Sequence, residues 1–184
     1  LLFLMPHSEG KRLNEGRTLL HGATANINDM LNPRYATHIK KIAKEIARHD
    51  NMFIIGRNTL YPIALEAAIK IQEVSYIHAQ GFAAGELKHG PIALIEHGTA
   101  CIVLGSDQET AANAIELKSR GAYILGIATD KLPVFDSWIR VPDCNGAQAL
   151  ATVIPTQLLA YYLALARKLD PDMPRNLAKS VTVK

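Results

Sequence analysis

The sequence predicts an α/β fold in which one parallel sheet is flanked by helices on both faces. Short apolar runs alternate with helical segments along most of the chain. Those runs are apolar on both sides, as strands covered on two faces must be. A chain of 184 residues that is 48% hydrophobic can also bury one substantial core. Together these features describe a doubly wound αβα sandwich.

The elements follow in order. Residues 10–26 are polar, mixed in charge and weakly periodic, which reads as a connector or a peripheral helix. Asn32 followed by Pro33 is an N-cap with proline at the first helical position, and predicts a helix to about His49. Residues 52–56 form a short apolar strand ending in glycine. Pro62 opens a second helix to about Ser75, followed by a loop rich in glycine and histidine and a strand at 100–104. A helix over 109–120, a strand over 123–127, a short strand near 138–141 and a long apolar helix over 148–169 complete the sandwich. The tail, 170–184, has two prolines, several charges and no amphipathic period, the composition of a solvated segment.

The net charge of +3 is spread along the chain, which suits an anionic small substrate and gives no basic patch for nucleic acid. Cys101 and Cys144 lie far apart, so the sequence predicts neither a disulfide framework nor a metal site, and a reducing, cytoplasmic setting is the expectation. No membrane partner is expected. Residues 1–5 are apolar but far too short to span, and residues 149–166 contain Thr152, Pro155, Thr156 and Gln157, as a buried core helix can.

The helix opened by Pro62 carries most of the chemistry. It is apolar nearly all round, which predicts burial. Glu66, Lys70 and Glu73 are spaced i, i+4 and i+7, so they share a stripe roughly 60° wide. Such a stripe is either an ion-pair ladder or, facing a cavity, a lysine between carboxylates suited to proton transfer. Gly56, Arg57 and Asn58 sit between a strand and a helix, where anions bind, although a plain tight turn fits equally. His89 lies in Gly85-Glu86-Leu87-Lys88-His89-Gly90-Pro91, whose glycines and proline imply a defined backbone path around a loop histidine. Cys101, inside an apolar strand, reads as a small core residue.

The blocks GELKHGP (85–91) and PRNLAKSVTV (174–183), with Gly56-Arg57 and the segments 61–66 and 73–78, strongly resemble the isomerase domain of glucosamine-6-phosphate synthase, or glutamine:fructose-6-phosphate aminotransferase (isomerizing). The resemblance implies an SIS-type three-layer αβα sandwich with an ordered C-terminal tail. It also implies a division into residues 1–31 as a connector from a preceding SIS subdomain, 32–169 as the SIS domain and 170–184 as an active-site tail.

By resemblance, Glu73 shuttles a proton between sugar C1 and C2, with Lys70 and Glu66 as its neighbours. His89 opens the sugar ring in the other subunit's site, Lys179 forms a Schiff base with the open-chain sugar, and Arg175 lies near an ammonia channel. The implied activity converts fructose 6-phosphate and glutamine to glucosamine 6-phosphate and glutamate in a homodimer, without cofactor. The family's phosphate-binding serine and threonine loops and its glutamine-hydrolysing cysteine belong to an upstream SIS subdomain and glutaminase domain. The expectation is therefore that this polypeptide is a fragment, inactive alone. Two other readings stay open: a non-catalytic SIS module that binds phosphosugars or mediates dimerisation, and a related SIS deglycase or isomerase. An imine-forming lysine and a proton shuttle favour the synthase.

Overall fold

The computed structural model describes residues 10–177. Its sheet is wholly parallel and contains β1 (Asn51–Gly56), β2 (His78–Ala83), β3 (Ala100–Leu104), β4 (Tyr123–Ala128) and β5 (Ser137–Arg140) in the order β2-β1-β3-β4-β5. The helices are α1 (Gly10–Met30), α2 (Pro33–Ile46), α3 (Tyr61–Ser75), α4 (Gln108–Ser119) and α5 (Gln148–Ala166).

The three layers follow from the alternation of side chains along the strands. In β1, Met52 and Ile54 enter one core with Ile39 and Ile46 of α2, Ala67 and Ile71 of α3, and Leu159 and Leu163 of α5. Phe53 and Ile55 enter a second core with Ala114 and Leu117 of α4, Leu87, Ile95 and Phe135. This is the sandwich that the sequence predicts. The peripheral helix reading of the N-terminal region also holds, since α1 is largely exposed and contributes Ala23 and Met30 to the first core.

Local chemistry sets the helix starts. The Asn32 side chain accepts the Tyr35 N–H at 3.0 Å, with Pro33 opening α2. Asp107 caps α4, accepting the Thr110 N–H at 3.0 Å and the Thr110 hydroxyl at 2.6 Å. The segment Asn145–Ala166 is long and apolar enough to cross a bilayer, but its inner face packs into the core through Ala151, Leu159 and Leu163.

Two expectations need correction. The loop assigned between α3 and β3 contains β2, an edge strand whose sequence, His-Ala-Gln-Gly-Phe-Ala, lacks the apolar run of a central strand. Nor is α3 buried all round. Its inner face is Ala64, Ala67, Ala68 and Ile71, while Leu65 and Ile69 remain 38% and 48% exposed on the outer one.

The missed strand and the helix are joined at Gly81. A Cβ there would lie 2.7 Å from the Ala64 carbonyl oxygen and 2.9 Å from the Leu65 Cα, so α3 rests directly on the β2 backbone. The Gln72 amide adds a hydrogen bond to the Ala79 carbonyl.

Gly81→Ala is therefore expected to destabilise the chain by about 1–3 kcal/mol, seen as a lower urea midpoint at unchanged slope. A midpoint equal to that of the parent would show that α3 and β2 have room to spare. Asp107→Ala is expected to cost about 1 kcal/mol at neutral pH. Burial opposes ionisation of Asp107, but the Thr110 hydroxyl and amide and the Arg57 charge together hold its carboxyl below the usual range. The stabilisation is present above the unfolded-state value and lost as pH falls through the lower folded one. The difference between Asp107→Ala and parent should thus shrink below about pH 4 in pH-resolved urea melts.

Candidate active site

The stripe on α3 forms as the spacing predicts. Lys70 Nζ donates to Glu73 Oε2 at 2.7 Å, and Glu66 Oε1 stands 3.9 Å from the same ammonium. The three side chains are about one-third exposed, at 36% for Lys70, 34% for Glu73 and 39% for Glu66. The hydrogen bond that Lys70 donates to Glu73 raises the Lys70 pKa, burial works against it, and the charges of Glu73 and Glu66 add to the rise. Lys70 is thus a firm cation at neutral pH. Beside it, Glu73 is the group with a free lone pair to take a proton.

The helix ends in a way that draws the tail to this stripe. Its C-cap is Tyr76, held at φ 57° and ψ 21° with its N–H bonded to the Gln72 carbonyl. A left-handed conformation at a bulky residue is a strain on the order of 1–3 kcal/mol, and glycine is the usual occupant. The Tyr76 hydroxyl accepts the Arg175 backbone N–H at 2.8 Å, and the Arg175 guanidinium lies 4.1 Å from the Tyr76 ring centroid. Arg175 is therefore held on the side chain of Tyr76, the residue three positions after Glu73. Nothing in the sequence reading marked Tyr76, and the only signal was indirect: a helix ending without glycine or asparagine. Lys179 lies outside the described residues.

His89 is held elsewhere. It ends a short turn of 3₁₀ helix, Glu86–His89, that is anchored to the second core by Leu87 and to α4 by a Lys88–Glu116 ion pair of 2.8 Å. Gly90 then takes φ 152° and ψ −58°, a conformation that only glycine adopts without strain, and turns the chain into Pro91. His89 is exposed. Because α3 covers the opposite face of the sheet, His89 does not meet Glu73 within one chain.

At the anion seat suggested after β1, Arg57 pairs through one terminal nitrogen with Glu109 of α4, while its buried Nε has no hydrogen-bond partner among the described residues. Between β3, β4 and α5, a crevice of about 280 Å³ is lined by Ser106, Asp107, Thr129, Asp143 and Gln148, with no lysine or arginine among its described lining residues. Ser106, Thr129 and Asp130 bond to one another across its rim. This carboxylate-bearing crevice is a poor seat for phosphate. Cys101 is buried in β3, which pushes its thiol up to about 12, so it is a core residue as expected.

Comparison with known proteins follows the same lines. The chain is 45% identical over 175 residues to a glutamine–fructose-6-phosphate aminotransferase (isomerizing) of Methanosarcina acetivorans, across 90% of this chain and 28% of that protein. It is 40% identical over 192 residues to the enzyme of that name from Gloeobacter violaceus, across 100% of this chain and 31% of that protein. It therefore spans less than a third of the length of these curated relatives. The C-terminal domain of glucosamine-fructose-6-phosphate aminotransferase from Francisella tularensis superposes with a TM-score of 0.77 at 26% identity, over 89% of this chain and 48% of that one. Residues 45–167, which include the whole sheet and all of α3, α4 and α5, match the family described as SIS domain, and the chain belongs to that family.

Proposed function

We propose that this chain serves as the second SIS unit of an isomerizing glutamine–fructose-6-phosphate aminotransferase, with residues 32–169 as the unit, 1–31 as its connector and 170–184 as its active-site tail. The observation that carries the reading is the Lys70–Glu73 pair at the end of α3, to which Tyr76 joins the start of the tail. The likeness to relatives of that name across 90% or more of the chain supports it.

In this reading Lys179 attacks the C2 carbonyl of open-chain fructose 6-phosphate to give an imine, releasing water. Ammonia from glutamine then displaces the lysine. Glu73 removes a proton from C1 and returns one to C2, which converts the ketose skeleton to the amino aldose. Lys70, held cationic and donating to Glu73 at 2.7 Å, aims the Glu73 carboxyl group. Glu66 supports the Lys70 charge. Arg175 guides the tail and lies toward the ammonia path.

His89 acts in the site of a second subunit, so the active form is a homodimer. The placement of His89 and Glu73 on opposite faces of the sheet supports that sharing. The phosphate is gripped by a preceding SIS unit, since the crevice beside β3 offers carboxylates rather than cations. A phosphosugar sensor would need its own phosphate seat, which favours the enzyme over the sensing module. The compartment is cytoplasmic.

Four measurements test the proposal. The chain alone should form no glucosamine 6-phosphate from fructose 6-phosphate with glutamine or ammonium. Grafted in place of the matching segment of the Methanosarcina acetivorans enzyme, it should support turnover. Glu73→Gln in that chimera should lower kcat by roughly two to four orders of magnitude with little change in KM. Borohydride added with fructose 6-phosphate should trap an adduct on Lys179, abolished by Lys179→Arg. Turnover of Glu73→Gln within a few-fold of the parent would return the stripe to an ion-pair ladder.

Lys70→Met separates the two roles of the stripe. Solvent screens a pair this exposed, so stability should change by less than about 1 kcal/mol while turnover falls at least tenfold. What stabilisation there is should persist up to the ordinary lysine value near pH 10.4 and vanish above it, because the folded-state pKa is raised. Turnover that survives Lys70→Met unchanged would remove Lys70 from the mechanism.

A further inference from the structure

We propose that Tyr76 is a positioning residue that tethers the C-terminal tail, through Arg175, to the end of α3. This inference rests on the proposed chemistry for its purpose, but the tether itself stands on contacts in the described chain. Tyr76 makes two separate contacts with one tail residue. Its hydroxyl accepts the Arg175 N–H at 2.8 Å and its ring carries the Arg175 guanidinium at 4.1 Å. Residues 170–177 contain no helix or strand and follow α5, so the Tyr76 contacts substitute for the regular hydrogen bonding that a tail lacks.

The backbone of Tyr76 points the same way. A helix C-terminus with a left-handed residue is the position where glycine relieves strain, and a half-buried tyrosine occupies it here at φ 57°. The left-handed turn swings the ring out of the helical track and presents it to the tail. An observed outlier of this kind is grounds for seeking a role that compensates for it. The side chain supplies one through Arg175.

The tether shortens the search of the tail for the site. Glu73 and Tyr76 are three residues apart, about 5 Å along the helix axis. Arg175 and Lys179 are four residues apart in the sequence. A short tether of this sort holds an amine at roughly millimolar effective concentration or above, whereas an untethered tail samples a far larger volume.

Tyr76→Gly makes the test sharp, because glycine is favoured by the backbone and removes both contacts. In the 184-residue chain, trypsin cleavage after Arg175 is read by the mass of the 1–175 product, and cleavage after Arg120 serves as the internal control. Cleavage after Arg175 should accelerate at least tenfold in Tyr76→Gly and only a few-fold in Tyr76→Phe, which keeps the ring and loses the acceptor. The rate after Arg120 should stay within twofold of the parent. An unchanged rate at Arg175, or equal acceleration at both arginines, would overturn the tether and leave Tyr76 as a general packing residue.

In the chimera, Tyr76→Gly should lower both kcat and borohydride trapping at Lys179 at least tenfold, with KM within threefold, and Tyr76→Phe should recover most of the loss. Equal trapping in parent and Tyr76→Gly would overturn the positioning role even if cleavage at Arg175 accelerates. A parent chimera that traps nothing at Lys179 would instead overturn the assigned chemistry, and the proteolysis result would then judge the tether by itself.

Discussion

The candidate site depends on the close seating of α3 against β2. Gly81 brings the strand backbone against Ala64 and Leu65, and the Gln72 amide reaches the Ala79 carbonyl. These contacts fix the rotation of α3 about its own axis. With Ala64, Ala67, Ala68 and Ile71 turned inward, Glu66, Lys70 and Glu73 are left partly exposed on the flank, beside Leu65 and Ile69. A rotation of one residue, about 100°, would drive charged side chains into the first core, where an unpaired charge costs several kcal/mol. Packing and chemistry are thereby coupled through a single helix.

The electrostatics of the stripe then divide its labour. A pair one-third exposed contributes little to folding, so its geometry is not explained by stability. Its effect on protonation is larger in kind. The carboxylate keeps Lys70 charged, which disqualifies the amine as a base. An amine that must attack a carbonyl needs a different setting, free of a tightly bonded carboxylate. Lys70 is poorly suited to that task, and the tail lysine is the separate group that the proposed chemistry requires.

Much of the fold was legible in the sequence because buried parallel strands and covering helices leave strong periodic marks. The residues 52–56, 100–104 and 123–127 are apolar on both faces, and Asn32-Pro33 marks a helix start by itself. The edge strand β2 was not legible. It is half-paired, and its Gly81 answers to a helix packed over it rather than to the strand. The burial of α3 was overread for a related reason, since apolar residues all round do not say which face finds a partner within the same chain. In the candidate site, the spacing of Glu66, Lys70 and Glu73 transferred directly from sequence to geometry. Tyr76 did not, because its contact with Arg175 joins positions 99 residues apart.

The place of the stripe in the fold also bears on how the chain functions. Open α/β sheets bind ligands beyond the carboxyl ends of their strands, near the point where strand order reverses, here between β1 and β3. In this chain that region is taken up by its own side chains: Arg57 pairs with Glu109, and Asp107 caps α4. Helix α3 starts at that carboxyl edge and runs back, so Glu73 and Tyr76 stand near the amino edge where β2 begins. The charged groups at that end lie on an outer flank instead of inside a crevice of the same unit. What the chain itself supplies at that end is the charged stripe, with Arg175 of the tail held against Tyr76. A charged, partly exposed edge of this kind fits the proposal that the phosphate is held by another unit, since the chain's own crevice beside β3 offers carboxylates rather than cations.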